Sequence, residues 1–297
     1  MRISGFTFLR NAVNYDFPFR ESLRSLLPLC DEVVIAVGRS EDNTLEEVRA
    51  LDDGTMRITE TVWDDALREG GRVYAQQTQV ALDGCTGDWC LYLQGDEVIH
   101  EEDYERIRTA LERADRNPNV EALLFDYLHF YGSYGYIGTG RQWYRREIRA
   151  VRNTGNIVSW RDAQGFRRRT TDGAEHKLRA AHSSARIFHY GWVQHPRTMQ
   201  TRRQAAHHFY HDDGWIEQQR PTTTEFNYTN GGRLVPYRGT HPAVMRGQIE
   251  RSQAWAAHFD PGRMERQSLR VRVLDSIERF TGVRIGEYRN YVAIGKS

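Results

Sequence analysis

Residues 87–103 read GDWCLYLQGDEVIHEED, and this stretch decides the fold that we predict. Residues 89–93 form an apolar run of strand length, which is typical of a strand buried on both faces of a parallel sheet. Gln94, Asp96 and Glu97 follow directly, where such a strand leaves the core. Because carboxylates at the edge of a core lose hydration, we expect this charge to serve a function.

Strand-like and helix-like segments alternate on both sides of this stretch. The predicted strands are residues 3–9, 32–37, 56–62, 89–93 and 122–128. The predicted helices are residues 19–29, 44–51, 73–82 and 102–114. This alternation is typical of βαβ units, so the sequence predicts an α/β fold with a mixed, mostly parallel central sheet and flanking helices.

The second half of the chain has a less regular pattern. Residues 130–140, FYGSYGYIGTG, are rich in glycine and tyrosine, and we interpret them as a mobile binding loop or a long connection. Further on, we predict a strand over residues 186–192 and helices over residues 196–210 and 269–280. Since no repeat or linker marks a boundary, we predict one main domain, residues 1–215, with a helical C-terminal extension, residues 216–297, packed on it.

The composition excludes several classes of protein. The 41 basic and 40 acidic residues nearly balance, so the net charge indicates no polyanionic partner. Cys30, Cys85 and Cys90 lack paired spacing, which favours a reducing compartment and argues against structural zinc. No secretory signal is visible, and no window approaches the roughly 18–20 apolar residues of a membrane span. We therefore expect a cytoplasmic protein that can still contact a membrane surface.

Three polar segments follow predicted strands. Ligands of an open α/β sheet bind beyond the carboxyl ends of the strands, so these segments are expected to meet at one site. The segments are TFLRN at residues 7–11, GRSEDNT at residues 38–44 and QGDE at residues 94–97.

These segments resemble the family 2 nucleotide-sugar glycosyltransferases, which have the GT-A fold. The likeness covers residues 2–125. GRSEDNT is similar to the D-x-S-x-D-x-T nucleotide-binding turn, and CTGDWCLYLQGDE, residues 85–97, is similar to the A-x-G-D-(aromatic)-(apolar)-x-D-x-D-E segment. FHYGW, residues 188–192, followed by Pro196 and Met199, is similar to the segment of members whose histidine closes the metal site.

The resemblance implies a GT-A, Rossmann-like fold and an inverting sugar transfer. The donor would be a nucleoside-diphosphate sugar, and the acceptor a glycan, a lipid-linked molecule or a phosphorylated molecule. Because the leaving diphosphate needs a hard divalent cation, the resemblance places Mn²⁺ or Mg²⁺ on Asp96 and His189. The residues that it places against the donor nucleotide are Thr7, Phe8, Arg10, Ser40, Asp42 and Gln94.

The chain departs from the family pattern at three places. Gln94 replaces the first aspartate of D-x-D, and a neutral amide is a poorer metal ligand, which leaves the need for a cation open. Gly38 replaces an acid that often hydrogen-bonds the base, so no base is predicted. The Glu-Asp pair that commonly provides the catalytic base is missing. Asp162, by its place in the chain, and Asp126, at the end of a predicted strand, are the candidates for this base.

Each candidate also has a purely structural interpretation. Asp96 and Glu97 are suited to capping the next helix, His189 to a hydrogen-bonded core position, and Asp42 to a turn. Among these, the resemblance favours the functional interpretation most for Asp96.

Nine arginines lie between residues 141 and 169, against only Glu147 and Asp162. They form either a solvated face with intramolecular ion pairs or a site for a phosphorylated acceptor, an anionic membrane or a nucleic acid, of which nucleic acid is the least expected. Three alternatives to a transferase follow. They are a nucleotidyltransferase, which the lack of glycine after the first strand disfavours, a nucleotide-sugar-binding protein without turnover, and a polyanion-binding module.

Overall fold

The computed structural model describes residues 1–64, 66–67, 69–219 and 223–295. Its central sheet begins with four parallel strands. The strands are β1 (Ile3–Leu9), β2 (Glu32–Gly38), β3 (Met56–Thr61), β4 (Trp89–Tyr92), β5 (Glu97–Ile99), β6 (Ala122–Tyr131), β7 (Ser133–Gly138), β8 (Arg146–Arg152), β9 (Ile157–Trp160), β10 (Gly165–Arg169), β11 (Glu175–Lys177), β12 (Arg179–Trp192), β13 (Leu234–Pro236) and β14 (Val292–Ala293). The helices are α1 (Phe19–Leu26), α2 (Thr44–Arg49), α3 (Arg72–Asp83), α4 (Tyr104–Asp115), α5 (Pro196–His207), α6 (Asp213–Gln218), α7 (Arg246–Ala256) and α8 (Leu269–Thr281).

The central sheet extends from the parallel strands into a mixed half. β3, β2, β1 and β4 lie side by side in that order and run parallel. β8 follows as an antiparallel strand between β4 and β6. β12 runs parallel to β6, with Ala180 beside Ala122 at one end and Trp192 beside Tyr131 at the other. The predicted fold class is therefore confirmed: a mixed, mostly parallel central sheet with flanking helices, consistent with a GT-A, Rossmann-like fold.

The core lies on both faces of the parallel strands. β2 is buried at every position, because helices cover the sheet on both sides. Val33 and Ile35 pack in one cluster with residues of α1, α2 and α4, whereas Val34 packs in a second cluster with residues of α3. This alternation follows from the two-residue period of a strand. The apolar run of β4 is buried in the same way and carries the next residues to the sheet edge.

The prediction of an irregular loop over residues 130–140 is wrong. β6 continues to Tyr131, the chain turns at Gly132, and β7 returns antiparallel. Gly132 has φ +68°, and a side chain there would collide with Phe259, so this turn requires glycine. Phe130 stacks on Tyr190 in a buried cluster. The aromatic residues of this segment therefore serve packing within a hairpin.

The segment after residue 215 adds strands to the central sheet. β13 pairs with β7, and β14 pairs with β12, which begins earlier than the predicted strand. The domain boundary at residue 215 stays a prediction. Within the described residues, no helix combines the length and the apolar character needed to cross a bilayer.

The arginines of residues 141–169 are mostly engaged within the protein. Seven of the nine form ion pairs: Arg141 with Glu278, Arg145 with Glu287, Arg146 with Asp126, Arg149 with Glu97, Arg152 with Asp115, Arg168 with Glu121 and Arg169 with Glu175. Arg161 and Arg167 lie over the ring of Trp160. The interpretation as intramolecular ion pairs fits these contacts, and the polyanion-binding alternative loses the observation that motivated it.

Candidate functional site

A cleft of about 990 Å³ opens where β1 and β4 end. Its lining comes from distant segments of the chain. They include residues 8–11 at the end of β1, residues 94–96 after β4, Trp63, Tyr74 and Tyr144, Asp162 and Gln164 between β9 and β10, His189, Gly191 and Trp192 of β12, and parts of residues 199–211 of α5 and the turn after it. The cleft therefore lies at the carboxyl edge of the parallel strands, where the sequence placed a ligand site.

Asp96 is almost fully buried beside two basic side chains. Its Oδ2 accepts a hydrogen bond from Nη2 of Arg202 at 3.0 Å and lies 3.6 Å from Nε2 of His189. Burial alone would raise the pKa of Asp96, but His189 and Arg202 outweigh burial and hold this pKa below its usual range. Asp96 is therefore a carboxylate at neutral pH.

Pairing of β5 with β12 brings His189 to Asp96. His189 lies opposite Glu97 in the antiparallel register, one residue from Asp96, and Tyr190 N donates to the carbonyl oxygen of Asp96 at 2.8 Å. The two residues named from the FHYGW and QGDE segments thus meet at the cleft, although 93 positions separate them in the chain.

A second histidine orients His189. His129 faces it across the β6–β12 register, with a distance of 3.0 Å between the two Nδ1 atoms. Nε2 of His129 lies 2.8 Å from the carbonyl oxygen of Tyr144, which can only accept, so this nitrogen carries the proton. Burial, together with His189, keeps the pKa of His129 well below its usual value, so His129 is neutral. Its Nδ1 is then the acceptor, and Nδ1 of His189 donates to it.

The resulting arrangement suits a divalent cation. When His189 is neutral, Nε2 is its unprotonated nitrogen and lies 3.6 Å from Oδ2 of Asp96. A cation held by these two atoms would compete with Arg202 for that oxygen. The lack of a side chain at Gly191 keeps the space beside these two atoms open. A Cβ there would lie 2.3 Å from Oδ2 of Asp96 and 2.8 Å from Nε2 of His189. No cluster of three acidic, histidine or cysteine ligands occurs in the described residues. The pair therefore fits a Mg²⁺-like ion that takes its other ligands from phosphates and water.

Glu97 has a structural environment. Both its oxygens accept from the guanidinium of Arg149 at 2.8 Å, and the hydroxyl of Tyr127 donates to Oε1 at 2.7 Å. Neither side chain of the pair is exposed by more than 1%. Arg149 therefore fixes the turn that carries Asp96, and Glu97 itself does not line the cleft.

Asp162 lies in the cleft on a strained turn. The residues on either side, Arg161 and Ala163, have φ of 56° and 63°, in a region that non-glycine residues rarely adopt. The hydroxyl of Tyr210 donates to Oδ2 of Asp162 at 2.9 Å. Such strain clusters at functional sites because it fixes a side chain in one direction.

Asp126, the other candidate base, does not line the cleft. Its Oδ1 accepts from Arg146 at 2.7 Å, and its Oδ2 lies 3.0 Å from Nε2 of His182. Its place at the end of a predicted strand was misleading because β6 runs on for five residues beyond it. The structure therefore gives no support to Asp126 as a base.

Of the residues expected at the nucleotide, some line the cleft and others do not. Phe8, Arg10 and Gln94 line the cleft. Thr7 lies beneath it, and no group of the described residues is within hydrogen-bonding distance of its buried hydroxyl. Ser40 and Asp42 are outside the lining and brace the loop after β1 instead.

The brace consists of side chain to backbone hydrogen bonds. The hydroxyl of Ser40 accepts from Asn11 N at 3.0 Å, and Oδ2 of Asp42 accepts from Asn14 N at 2.7 Å. The GRSEDNT turn thus holds the loop that lines the cleft, and a direct contact of Ser40 or Asp42 with a nucleotide stays a prediction.

Phe8 belongs to an aromatic wall whose other members, Trp63, Tyr74 and Phe209, were not predicted from the sequence. Phe8, Trp63, Tyr74 and Phe209 form ring contacts along one side of the cleft, and the guanidinium of Arg10 lies 5.0 Å from the Trp63 ring. A Cβ at Gly38 would lie 2.3 Å from Nε1 of Trp63, so the indole fills the space of the missing acid. No motif joins these rings in the sequence, because they come from four different segments.

Arg202 and His129 were also missed. Arg202 lies on the face of α5 that includes buried Met199, three residues earlier, and its Nη1 donates to the carbonyl oxygen of Gly191 at 2.6 Å. The i, i+3 spacing from Met199 is a signal that could have placed Arg202 at the cleft. For His129, the only signal is its position in a strand beside β12.

No family model matches the sequence, and no curated protein matches it. Solved structures match at low similarity. TarS residues 1–349 from S. aureus, in complex with UDP, is 21% identical over 43% of this chain, with a TM-score of 0.34. Glucosyl-3-phosphoglycerate synthase from Mycobacterium tuberculosis, with Mn²⁺, UDP and phosphoglyceric acid, is 17% identical over 44% of this chain, with a TM-score of 0.31.

A third match is a 4-diphosphocytidyl-2C-methyl-D-erythritol synthase from Anaerococcus prevotii, 12% identical over 51% of this chain, with a TM-score of 0.33. The present chain covers 36% of the TarS structure and 43% of the phosphoglycerate synthase. Likeness at this level assigns no family, and the functional conclusion depends on the geometry of the cleft.

Proposed function

We propose that this protein transfers a sugar from a nucleoside-diphosphate sugar to an acceptor hydroxyl, with inversion at the anomeric carbon. One observation carries the proposal: Asp96, His189 and Asp162 come from three distant segments and line a single cleft. The Asp96 carboxylate lies beside basic side chains and the Asp162 carboxylate lies on a strained turn. These different surroundings suit different roles, one at the donor diphosphate and one at the acceptor hydroxyl.

Asp96 and His189 would hold a divalent cation. When bound, that cation would neutralise charge on the departing diphosphate. The chain itself adds Arg10, Arg202 and Arg203 to the cleft lining, and guanidinium groups match phosphate oxygens in geometry and charge. The donor diphosphate is therefore expected at the basic side of the cleft, next to Asp96.

Asp162 is the proposed base. The acceptor hydroxyl gives its proton to the Asp162 carboxylate while its oxygen bonds to the anomeric carbon. The bond between that carbon and the phosphate oxygen breaks, and its electron pair leaves with the nucleoside diphosphate. Tyr210 holds one Asp162 oxygen, and the other is available to the acceptor.

The acceptor is proposed to be a glycan, a lipid-linked molecule or a phosphorylated molecule. Trp192, Tyr144 and Tyr210 line the cleft, and such aromatic faces suit the apolar faces of a sugar ring. If the donor diphosphate contacts only one of the α5 arginines in the cleft, the other can pair with a phosphate on the acceptor.

Ligand-dependent thermal unfolding tests the proposal. With UDP, GDP, dTDP or CDP and Mn²⁺ or Mg²⁺, at about 100 times Kd, one nucleotide should stabilise the wild type by about 2.7 kcal/mol. Asp96→Asn should lose this gain. Asp126→Asn, which alters a carboxylate outside the cleft, should keep it. No stabilisation by any of the four nucleotides would contradict a nucleotide-sugar donor.

Donor hydrolysis by the purified protein separates a transferase from a binding protein without turnover. We expect slow release of the nucleoside diphosphate when water replaces the acceptor. Binding without any release, even with candidate acceptors present, would favour the binding protein.

A further inference from the structure

Half of the large apolar side chains that are exposed in the described residues lie within one short segment. Ten are exposed, and the five in this segment have exposures from 52 to 90%: Leu269, Val273, Phe280, Val283 and Ile285. The first three belong to α8, in which no residue is buried. Single exposed apolar residues need no explanation, but a contiguous group marks a surface that binds another molecule.

The exposed apolar residues of α8 form one stripe with arginines beside it. At 3.6 residues per turn, Leu269, Val273 and Phe280 fall within about 40° of each other around the helix axis. Arg272 and Arg279 follow on one side of the stripe, and Arg270 on the other; all three are exposed. In the described part of the chain, none of the three forms an ion pair.

The opposite side of α8 is fixed to the protein by ion pairs. Glu278 accepts from Nε of Arg284 at 2.8 Å and lies 3.5 Å from Nη1 of Arg141. Arg284 is buried and donates to the carbonyl oxygen of Trp143 at 2.6 Å. Glu278, one of the two acidic residues of α8, is thus used on the inner side, and the other, Asp275, is half-buried. What α8 presents to the outside is apolar and positively charged.

We propose that this face, the α8 surface, docks on an anionic lipid bilayer. The α8 surface comprises Leu269, Val273 and Phe280 with Arg270, Arg272 and Arg279, and the exposed Val283 and Ile285 follow it directly in the chain. An apolar stripe between arginines is the pattern of a helix that lies in the plane of a membrane, with its apolar side chains among the lipids and its guanidinium groups at the phosphates.

Charge disfavours a second copy of the chain as the occupant. A two-fold contact would place this surface against itself, and its arginines would then face arginines with no acidic stripe to compensate. Lipid phosphates supply the complementary charge, and acyl chains the complementary apolar volume. The α8 surface is separate from the lining of the cleft, so docking does not depend on the proposed function.

Co-sedimentation with lipid vesicles, without donor or acceptor, tests the inference. The full chain should bind phosphatidylcholine vesicles that contain phosphatidylglycerol, and should bind them at least tenfold more weakly when phosphatidylglycerol is omitted. Phe280→Asp should reduce binding about tenfold or more, since Phe280 is 90% exposed and its change leaves the core intact. Val62→Asp, at another exposed apolar residue, is the matched control and should bind like the wild type.

Charge is tested separately. Replacement of Arg270, Arg272 and Arg279 by glutamine should weaken vesicle binding about 100-fold, since each arginine near an anionic surface contributes about fivefold. Equal binding to neutral vesicles, or no binding to anionic ones, would overturn the inference. So would light scattering that finds a dimer of the wild type and a monomer of Phe280→Asp while vesicles remain unbound.

Discussion

The Nδ1 atoms of His129 and His189 lie 3.0 Å apart on neighbouring strands, and this contact sets which nitrogen of His189 is available to the cleft. His129→Phe removes the acceptor, so His189 is free to rotate or change tautomer. We expect Mn²⁺ affinity to fall about 10- to 100-fold, as for other partners that orient a metal ligand. Electron paramagnetic resonance of free Mn²⁺, with nucleoside diphosphate present, measures this.

A conservative variant provides the control for His129. His129→Asn keeps an acceptor near the position of Nδ1 and should retain most of the Mn²⁺ affinity. Nitrogen NMR of the imidazoles should find the Nδ1–H tautomer at His189 in the wild type. An Nε2–H tautomer there would contradict the assigned orientation, whatever the activity of the variants.

Gly191 is predicted to be essential for occupation of the site. Gly191→Ala would place a methyl group 2.3 Å from Oδ2 of Asp96, so the carboxylate must move away from His189. Calorimetric titration with nucleoside diphosphate and Mn²⁺ should detect at least a tenfold loss of affinity. Gly135→Ala, whose Cβ has only ordinary contacts, should bind normally.

Asp162→Asn should leave donor binding intact and lower the transfer rate. Loss of a positioned base costs about 10²- to 10⁴-fold, and because the base acts on the acceptor, the effect should be on kcat. Tyr210→Phe removes the hydrogen bond to Asp162 but keeps the carboxylate, and should retain more activity. If Asp162→Asn transferred sugar at the wild-type rate, another group would be the base.

The buried Arg149–Glu97 pair is predicted to hold the fold around the site. Glu97→Gln leaves the Arg149 charge uncompensated in the core, which should cost about 3–5 kcal/mol in the free energy of unfolding. Glu175→Gln, at the more exposed pair with Arg169, should change stability by less than about 1 kcal/mol. Urea unfolding at pH 7 compares the two, and equal effects would contradict the structural role of Glu97.

Glu147 predicts a pH dependence of stability. Burial raises the pKa of this carboxyl to about 7, from an ordinary value of 4.5. Because the folded state then holds the proton more tightly, this stabilisation is complete below pH 4.5 and is lost as the pH rises through 7. The loss amounts to about 3 kcal/mol for a shift of this size.

Urea unfolding of Glu147→Gln tests the sign of this effect. Its stability relative to the wild type should increase between pH 5 and pH 8, because glutamine cannot ionise. A constant difference between the two proteins over this range would contradict the raised pKa.

Local sequence patterns predicted the parallel half of the fold and, in the mixed half, parts of β6 and β12, but not β7 or β8. β2 and β4 are buried apolar runs between helices, so composition alone identifies them. β7 could not be identified in this way, since its glycine and tyrosine content is equally typical of loops. Its place depends on pairing with β6 and on the fit of Gly132 against Phe259, both of which are tertiary contacts.

Two members of the candidate site were predicted from sequence motifs. Asp96 and His189 were identified from segments with characteristic order, and they lie together in the structure. Arg202, His129 and Trp63 were not, because each comes to the cleft through helix packing or strand register rather than through its sequence neighbours. Asp126 was expected at the end of a strand, whereas β6 continues through residues 127–131 and the Asp126 carboxylate pairs with Arg146 outside the cleft lining.

The chain that follows α5 links two parts of the cleft wall. The amide of Gly71 donates to the carbonyl oxygen of Phe209 at 2.8 Å, and the hydroxyl of Tyr210 donates to Asp162. The position of the proposed base is therefore coupled to a residue 48 positions away in the chain, and a substitution at Tyr210 would disturb the acceptor side of the cleft without altering Asp96 or His189.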